Sequence, residues 1–497
     1  MMPRQQLFDR TDNSEPLIDI QRSDKIEEAC GVFGVYDSKS SFKAAQLTYL
    51  GLYALQHRGQ ESAGIASLDR GDIHCHKDTG LVPHIFNDLI LEQLTGKIAI
   101  GHTRYSNTGL NLKEYAQPIV LDSRLGKLAL AHNGKLVNTF ELHQHLTQRK
   151  ANFITSSDSE MLALAIVDEV EGGKDWIEAA TSAFKLCEGT YSLTIATPNG
   201  LIGARDRNGI RPLVIGSLFS EDKDSQCYVL SSETCGLDII GAEYVRDVQP
   251  GELVWISDSG IVSINWAERP KQKLCIFEMI YAARPDSMMH GNTLYNYRVR
   301  IGRQLAIESF VDADLVIGVP DSGIPAAIGF SRGSELTYGE GLIKNRYIGR
   351  NSIRPTESMQ QAGIRTKLNT LDDALRGKRI ILVDDSIVRG ITSEKIVKTL
   401  RDAGAKEVHM RISSPPITHP CFYSIDTDNQ DRLIAATKSV KEIEEKIGVD
   451  TLAYLSWEGM LQATLENPNH FCSACFTGDY PVTIPENVKS YKLISDK

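Results

Sequence analysis

The sequence predicts two unlike halves, an α+β half of stacked β-sheets with helices followed by an α/β half built on a parallel sheet. Three observations predict this. From Gly31 to about Pro270, short apolar strands and hairpins mix with amphipathic helices. From about Leu274, continuous apolar strands alternate with Gly- or Pro-containing turns and helices, the order expected of a parallel sheet. The chain of 497 residues has room for roughly two to four domains, and a hydrophobic content of 41% fills sizeable cores. The expected divisions are a leader over 1–29, a first domain over 30–270, and a second over 271–497 that ends in a cysteine-bearing segment.

Taken in order, Gly31–Tyr36 is a strand opening directly after Cys30, and Ala44–Gln56 has helical spacing of Ala, Leu and Tyr. Lys97–Gly101 and Leu128–His132 read as buried strands that each end in a polar turn, and Leu201–Arg205 and Gly251–Ser257 continue the β pattern. In the second half, Leu315–Pro320 is an apolar strand followed by a Gly/Pro turn and an Ala-rich helix. Arg379–Val383 is another, followed by Asp384-Asp385, a Gly-containing loop and the helix Ser393–Ala403; Glu407–Ile412 is a third. The segment Glu340–Thr370, rich in Arg, Asn, Gly and Gln, reads as a mobile loop region.

A formal charge of -10 opposes a nonspecific nucleic-acid grip, although the basic stretch Lys344–Arg354 suits a phosphorylated small molecule. No apolar run reaches the roughly 18 residues of a membrane-spanning helix. The leader is polar, carries Asp9, Asp12, Glu15 and Asp19, and lacks the apolar core of a secretory signal. Nine cysteines in a chain of this length are too sparse for a disulfide framework and suit reduced thiols, a metal site or catalysis. A cytoplasmic protein is expected.

Cys30 alone reads as a core cysteine. Three later segments change its weight. Gly101-His102-Thr103-Arg104-Tyr105-Ser106 ends a strand with an arginine able to clamp a carboxylate in a two-pronged contact. Ala131-His132-Asn133-Gly134 ends another with an amide side chain and a flexible backbone N–H, and Ser156–Glu160 starts a helix whose Asp158 can hold an ammonium group. Singly, these are a surface ion pair, a turn and a helix cap. In this order behind Cys30, and with Leu55–Glu61, they resemble the N-terminal-nucleophile glutaminase domain of class II glutamine amidotransferases over about Cys30 to Pro270. The resemblance implies Cys30 as nucleophile, Asn133 and Gly134 as oxyanion donors, and Arg104 and Asp158 as ligands of glutamine's α-carboxylate and α-amino group. The chemistry asks for removal of Met1–Ala29: an α-amino group with a pKa near 7.7–8.0 can take the proton of a thiol near 8.5 without a separate histidine.

The second strong signal is Ile380–Ser393, in which four apolar residues deliver Asp384 and Asp385 to the C-terminal edge of a parallel sheet, where α/β ligands bind. Paired carboxylates suit ribose hydroxyls and Mg²⁺. Backbone N–H groups and hydroxyls from Ser386 to Ser393 at a helix start suit a 5′-phosphate. The segment resembles the phosphoribosyl pyrophosphate (PRPP) motif of type I phosphoribosyltransferases. That implies PRPP binding by Asp384, Asp385, Ser386, Arg389, Gly390, Thr392 and Ser393, with Lys344 and Arg346 leading into a lid. Ser322, in the turn Val319–Gly323, matches a magnesium position beside Asp384 and Asp385.

Cys472-Ser473-Ala474-Cys475, Cys421 and Cys275 remain, and their spacing admits a zinc site, a redox dithiol or packing. Cys75, Cys187, Cys227 and Cys235 are expected to be packing thiols. Both halves together resemble the amidophosphoribosyltransferase family, the first step of purine synthesis, and all four cysteines match its subclass with a [4Fe–4S] cluster. The family implies glutamine and PRPP as substrates, inhibition by purine nucleotides of the AMP/GMP class, and a homotetramer. Two departures stand out: Arg350-Asn351-Ser352-Ile353 in the lid, where Arg-Thr-Phe-Ile is usual, and Asn107 after Ser106. Cys30→Ala should abolish glutamine-dependent amination of PRPP while high ammonium still supports turnover, measured as pyrophosphate release; full glutamine use by the variant contradicts the assignment.

Overall fold

The computed structural model describes residues 30–105, 113–219, 226–345 and 368–489, apart from 424, 426 and 428. The leader, Asn107, Arg346 and the departures at 350–353 lie outside the described residues. The first half carries two antiparallel sheets. One has seven strands in the order β11-β9-β10-β1-β4-β2-β3 and the other six in the order β13-β12-β8-β7-β6-β5. In chain order these are β1 (Gly31–Asp37), β2 (Ser62–Asp69), β3 (Asp72–Thr79), β4 (Ile98–Arg104), β5 (Ile119–Ser123), β6 (Gly126–Leu136) and β7 (Gly189–Thr197). They continue as β8 (Gly200–Arg205), β9 (Val214–Phe219), β10 (Gln226–Ser231), β11 (Glu243–Asp247), β12 (Glu252–Ser257) and β13 (Gly260–Asn265).

The two sheets stack face to face, with helices on both outer sides. Val32 and Tyr36 of β1 join Ile100, Leu201 and Val254 in the layer between the sheets. Phe33 and Val35, on the other face of the same strand, pack with Leu52 from the helix Ala44–Ala54. The helices Asp158–Glu171 and Trp176–Leu186 cover the far sheet through Leu162, Ile166 and Phe184 against Leu193 and Ile195. Burial on both faces explains why β1 is apolar without alternation.

The second half opens with β14 (Leu274–Cys275) and a two-stranded ribbon of β15 (Met288–Met289) and β16 (Asn292–Thr293). Its sheet is parallel throughout, in the order β17 (Leu315–Gly318), β20 (Arg379–Asp384), β21 (Glu407–Ile412) and β22 (Thr451–Tyr454). Val316, Ile381 and Val383 face the helices Leu294–Glu308 and Ile324–Ser334 on one side. Ile317, Ile380 and Leu382 face the helix Ile391–Asp402 on the other. The expected stacked-sheet and parallel-sheet architectures are both present. Near the C-terminus β23 (Phe471–Cys472) pairs in parallel with β14, placing Cys275 opposite Cys472.

Several local readings change. The strands expected to end at Gly101 and His132 run on to Arg104 and Leu136, because those polar residues take their own ladder places, Ser62↔Arg104 and Asn133↔Ser192. The helix expected from Ser393 starts at Ile391. Within Glu340–Thr370, β18 (Leu342–Lys344) and β19 (Leu368–Thr370) pair as an antiparallel ribbon, so its ends are ordered by ladder bonds. Cys75 is exposed on β3 rather than packed, whereas Cys187, Cys227 and Cys235 are buried. Among the described residues no helix is long and apolar enough to cross a membrane. Leu382, wholly buried in β20, should cost about 2–5 kcal/mol of stability on replacement by Ala, read by chemical denaturation; an unchanged midpoint contradicts the packing.

Candidate functional site

Cys30 sits at the start of β1, whose register Gly31↔Thr103 sets it beside the end of β4, and its thiol lies 3.8 Å from the Tyr105 carbonyl. Burial pushes this thiol up to about 11; the Arg104, Arg211 and Arg58 guanidiniums pull against that rise and the Asp158 carboxylate adds to it. Cys30, Arg104 and Asp158 therefore share one electrostatic site. At neutral pH a thiol held there stays protonated. Its own nitrogen is here a peptide amide and cannot take the proton.

Arg104 ends β4, largely buried, with its guanidinium 5.5 Å from the centre of the Tyr115 ring. Asp158 opens its helix behind the N-cap Ser157, and its Oδ2 accepts from Leu136 N at 3.0 Å. Asn133 is fully buried, and neither its Oδ1 nor its Nδ2 has a hydrogen-bond partner among the described residues. An unmade bond of this kind costs about 1–3 kcal/mol, so the amide is poised for a group the folded chain does not supply. Gly134 follows because nothing larger fits: a Cβ there would meet Thr190 O at 2.0 Å and His132 Nε2 at 2.7 Å.

Sequence reasoning missed a buried ion cluster beneath Cys30. Arg58 donates from Nε to the Cys30 carbonyl at 3.1 Å, from Nη1 to Glu233 Oε1 at 2.6 Å, and from Nη2 to Glu278 Oε1 at 2.8 Å. His57 Nε2 lies 2.7 Å from Glu233 Oε1, and Arg211 Nη2 lies 2.9 Å from Glu278 Oε1. Burial alone would raise the Glu233 carboxyl, but His57 and Arg58 together hold it well below the usual carboxylate range. Glu278 behaves alike, with Arg211 and Arg58 outweighing burial. The turn Arg284–Ser287 docks on the same group, since Arg284 N and Ser287 Oγ donate to Glu233 Oε2 at 2.9 and 2.7 Å. His57 and Arg58 lie within Leu55–Glu61, yet no local pattern points to partners this far along the chain.

In the second half, β20 delivers Asp384 and then Asp385, both buried. Asp385 Oδ1 accepts from Ser322 Oγ at 2.5 Å and Oδ2 from Ser386 Oγ at 2.7 Å, and Asp385 N donates to Asp384 Oδ1 at 2.9 Å. Ser322, Asp385 and Ser386 thus meet at one sheet edge, with Asp384 beside them. Gly390 takes φ +84° at the helix N-cap, a left-handed conformation that favours glycine. Arg389 and Thr392 are half-buried beside it, and Ser393 is buried in the first turn. Lys344 Nζ reaches back to Asp321 Oδ2 at 2.6 Å, an exposed pair that a phosphate can displace. Arg346 lies outside the described residues.

The four remaining cysteines come together as well. Cys275, Cys421, Cys472 and Cys475 line one cavity, with Arg211, Ile210, Phe277 and Tyr423 in its wall. Burial pushes the Cys275 thiol up to about 12 and those of Cys472 and Cys475 well above the usual range. Cys421 Sγ accepts from Tyr423 N at 3.4 Å. Among the described residues no three thiols, imidazoles or carboxylates converge closely enough to hold a single metal ion.

In the leader-bearing chain, iodoacetamide labelling of Cys30 should rise about tenfold per pH unit up to the region of pH 11, because the reactive thiolate grows with pH below the pKa. A chain beginning at Cys30 should label faster than the leader-bearing chain near pH 8, where its freed amine is largely neutral and can take the thiol proton. Identical pH profiles for the two, read by peptide mass spectrometry, would contradict an N-terminal amine acting as the base.

A family model described as a glutamine amidotransferase domain matches residues 102–237. The chain is 62% identical to the amidophosphoribosyltransferase of Synechocystis sp., over 95% of this chain and 94% of that protein. It is 45% identical to that of Bacillus subtilis, over 92% of this chain and 95% of that protein. The fold is similar to the solved structure of glutamine PRPP amidotransferase from B. subtilis complexed with ADP and GMP, with a TM-score of 0.85, 44% identity, and coverage of 92% of this chain and 99% of that one. A solved structure described as the allosteric regulatory enzyme of purine biosynthesis gives a TM-score of 0.86 at 43% identity, covering 94% of this chain and 100% of that one. Relatives this similar span nearly the whole sequence and both of its sheet systems, and the chain belongs to the amidophosphoribosyltransferase family.

Proposed function

We propose that this chain releases ammonia from glutamine at Cys30 and adds it to C1 of PRPP at the edge formed by Asp384 and Asp385, giving 5-phosphoribosylamine, glutamate and pyrophosphate. The reaction is that of its family, the first step of purine biosynthesis. The observation that carries the residue assignment is the buried, unpartnered Asn133 amide in the same half as Cys30, Arg104 and Asp158.

In this reading the leader over 1–29 is removed, and the freed amine of Cys30 takes the thiol proton. The first domain is then 30–270 and the second 271–497. Arg104 binds the α-carboxylate of glutamine and Asp158 its α-ammonium. Sγ attacks the carboxamide carbon, and Asn133 Nδ2 with Gly134 N donates to the oxyanion. Ammonia leaves with the proton returned by the amine, and water hydrolyses the thioester to glutamate. At the second site the 386–393 loop and helix start receive the 5′-phosphate, the turn Val319–Gly323 contacts the pyrophosphate, and Lys344 and Arg346 bind PRPP beside it. Ammonia bonds to C1 as the C1–pyrophosphate bond breaks. The donor set fits Mg²⁺, because two carboxylates and the Ser322 hydroxyl are all oxygen ligands gathered at one edge. Asp384, Asp385 and Ser322 would hold the ion, which when bound offsets charge on the departing pyrophosphate.

We also place a [4Fe–4S] cluster on Cys275, Cys421, Cys472 and Cys475. Four thiols ring a cavity without converging on one point, whereas a tetrahedral zinc site draws its sulfurs to about 2.3 Å from one ion. The cluster, when bound, crosslinks three chain segments; neither half-reaction needs its electrons. All nine cysteines are free, which fits a reducing cytoplasm. Inhibition by AMP- or GMP-class nucleotides and a homotetramer complete the reading, the former supported by the nucleotides in the B. subtilis complex. Asn133→Ala should lower glutamine-dependent kcat by about 10²–10³ relative to ammonia-dependent turnover of the same preparation. Equal losses with both nitrogen sources contradict the oxyanion role.

A further inference from the structure

We infer that the buried chain Arg211–Glu278–Arg58 ties the four-cysteine cavity to the Cys30 backbone, so that filling the cavity with its cluster positions the nucleophile. The inference rests on the cluster reading above. Arg211, Glu278 and Arg58 are fully buried and in close contact with one another. Arg211 is 1% exposed, lines the cavity, and its Nε has no hydrogen-bond partner among the described residues. A buried guanidinium with a donor left over, beside four thiols, is placed to answer the negative charge that cluster-bound thiolates bring. Its backbone is pinned, because the Arg211 carbonyl accepts from Ser192 Oγ at 2.9 Å and Arg205 Nε at 2.8 Å. The side chain is therefore the part that can respond.

On its other side, Arg211 Nη2 lies 2.9 Å from Glu278 Oε1, although the angle is too poor for a hydrogen bond. The same oxygen accepts from Arg58 Nη2 at 2.8 Å, and Oε2 accepts from Arg58 Nη1 at 3.0 Å. Two guanidiniums thus compete for one carboxylate, and Arg58 in turn holds the Cys30 carbonyl through Nε at 3.1 Å. A covalent path runs in parallel. Cys275 precedes Glu278 by three residues, and Glu278 opens a π-helical turn, Glu278–Ala282, a rare geometry frequently found at functional sites. Drawing Cys275 onto a cluster fixes the start of that turn. Glu278 and Arg211 are positioning residues in this scheme, acting on Cys30 through Arg58.

The test uses the mature holoenzyme purified without oxygen, as wild type, Glu278→Gln and Arg211→Lys. Three quantities are read: iron and labile sulfide per chain, the iodoacetamide labelling rate of Cys30 by peptide mass spectrometry, and the ratio of glutamine- to ammonia-dependent turnover. Stripping iron from the wild type with an anaerobic chelator should slow Cys30 labelling about tenfold; Glu278→Gln with full iron should already be about tenfold slow, and stripping it should add less than about twofold. Arg211→Lys keeps the charge but loses the planar fork, and should show the same failure to add; it decides the matter where Glu278→Gln does not fold. A fully iron-loaded Glu278→Gln or Arg211→Lys that labels at the wild-type rate overturns the inference, as does a stripping effect that multiplies the effect of the substitution. Wild-type protein without iron and sulfide instead removes the cluster reading, an outcome the metal content alone identifies.

Discussion

Arg58 cannot reach water. Its guanidinium is 1% exposed and spends its donors on the Cys30 carbonyl, Glu233 and Glu278. With Arg211 it balances the two carboxylates charge for charge, which is what lets four ionised groups be buried together. Removing one partner from such a group typically costs about 3–5 kcal/mol, because the remaining charges stay buried. Both carboxyls are held below their ordinary range. Their contribution is therefore complete above the ordinary carboxylate pKa and is lost only as pH falls through the depressed folded-state values. The cluster also fixes the relation of the two halves, since Glu233 belongs to the first and Glu278, Arg284 and Ser287 to the second.

That dependence gives the halves a shared geometry rather than a simple tether. Thr190 Oγ1 donates to the Tyr423 carbonyl at 2.5 Å, and Val137 and Ile210 pack within the core of the second half. The turn Arg284–Ser287 is bonded to Glu233, which is bonded through Arg58 to the Cys30 carbonyl. Burial pushes the Cys30 thiol up to about 11, and the buried Asn133 amide has no hydrogen-bond partner among the described residues.

Much of this was legible in the sequence where chemistry and chain position coincide. Asp384 and Asp385 follow four apolar residues, and a strand delivers them to the sheet edge as such a pattern must. Cys30 before an apolar strand was equally plain. Ser322 reaches Asp385 across 63 residues, a juxtaposition that family resemblance suggested and the residues alone did not. The strands carrying Arg104 and Asn133 were expected to end at Gly101 and His132 because polarity was taken for a strand end; between stacked sheets, polar side chains occupy ladder positions. The ion cluster was illegible for a different reason. Arg58 finds Glu233 175 residues away and Glu278 220 residues away, and neither hydrophobic period nor local spacing encodes a pairing of that range.

The most direct measurement follows the nitrogen itself. The enzyme is given PRPP, glutamine labelled with ¹⁵N in the amide, and an equal concentration of unlabelled ammonium, and the aminated sugar phosphate is trapped and weighed by mass spectrometry. Two halves locked together through Arg58 should yield product carrying almost wholly the glutamine nitrogen. Product whose label merely mirrors the bulk ammonium pool, or carries none, would contradict a joined pair of sites.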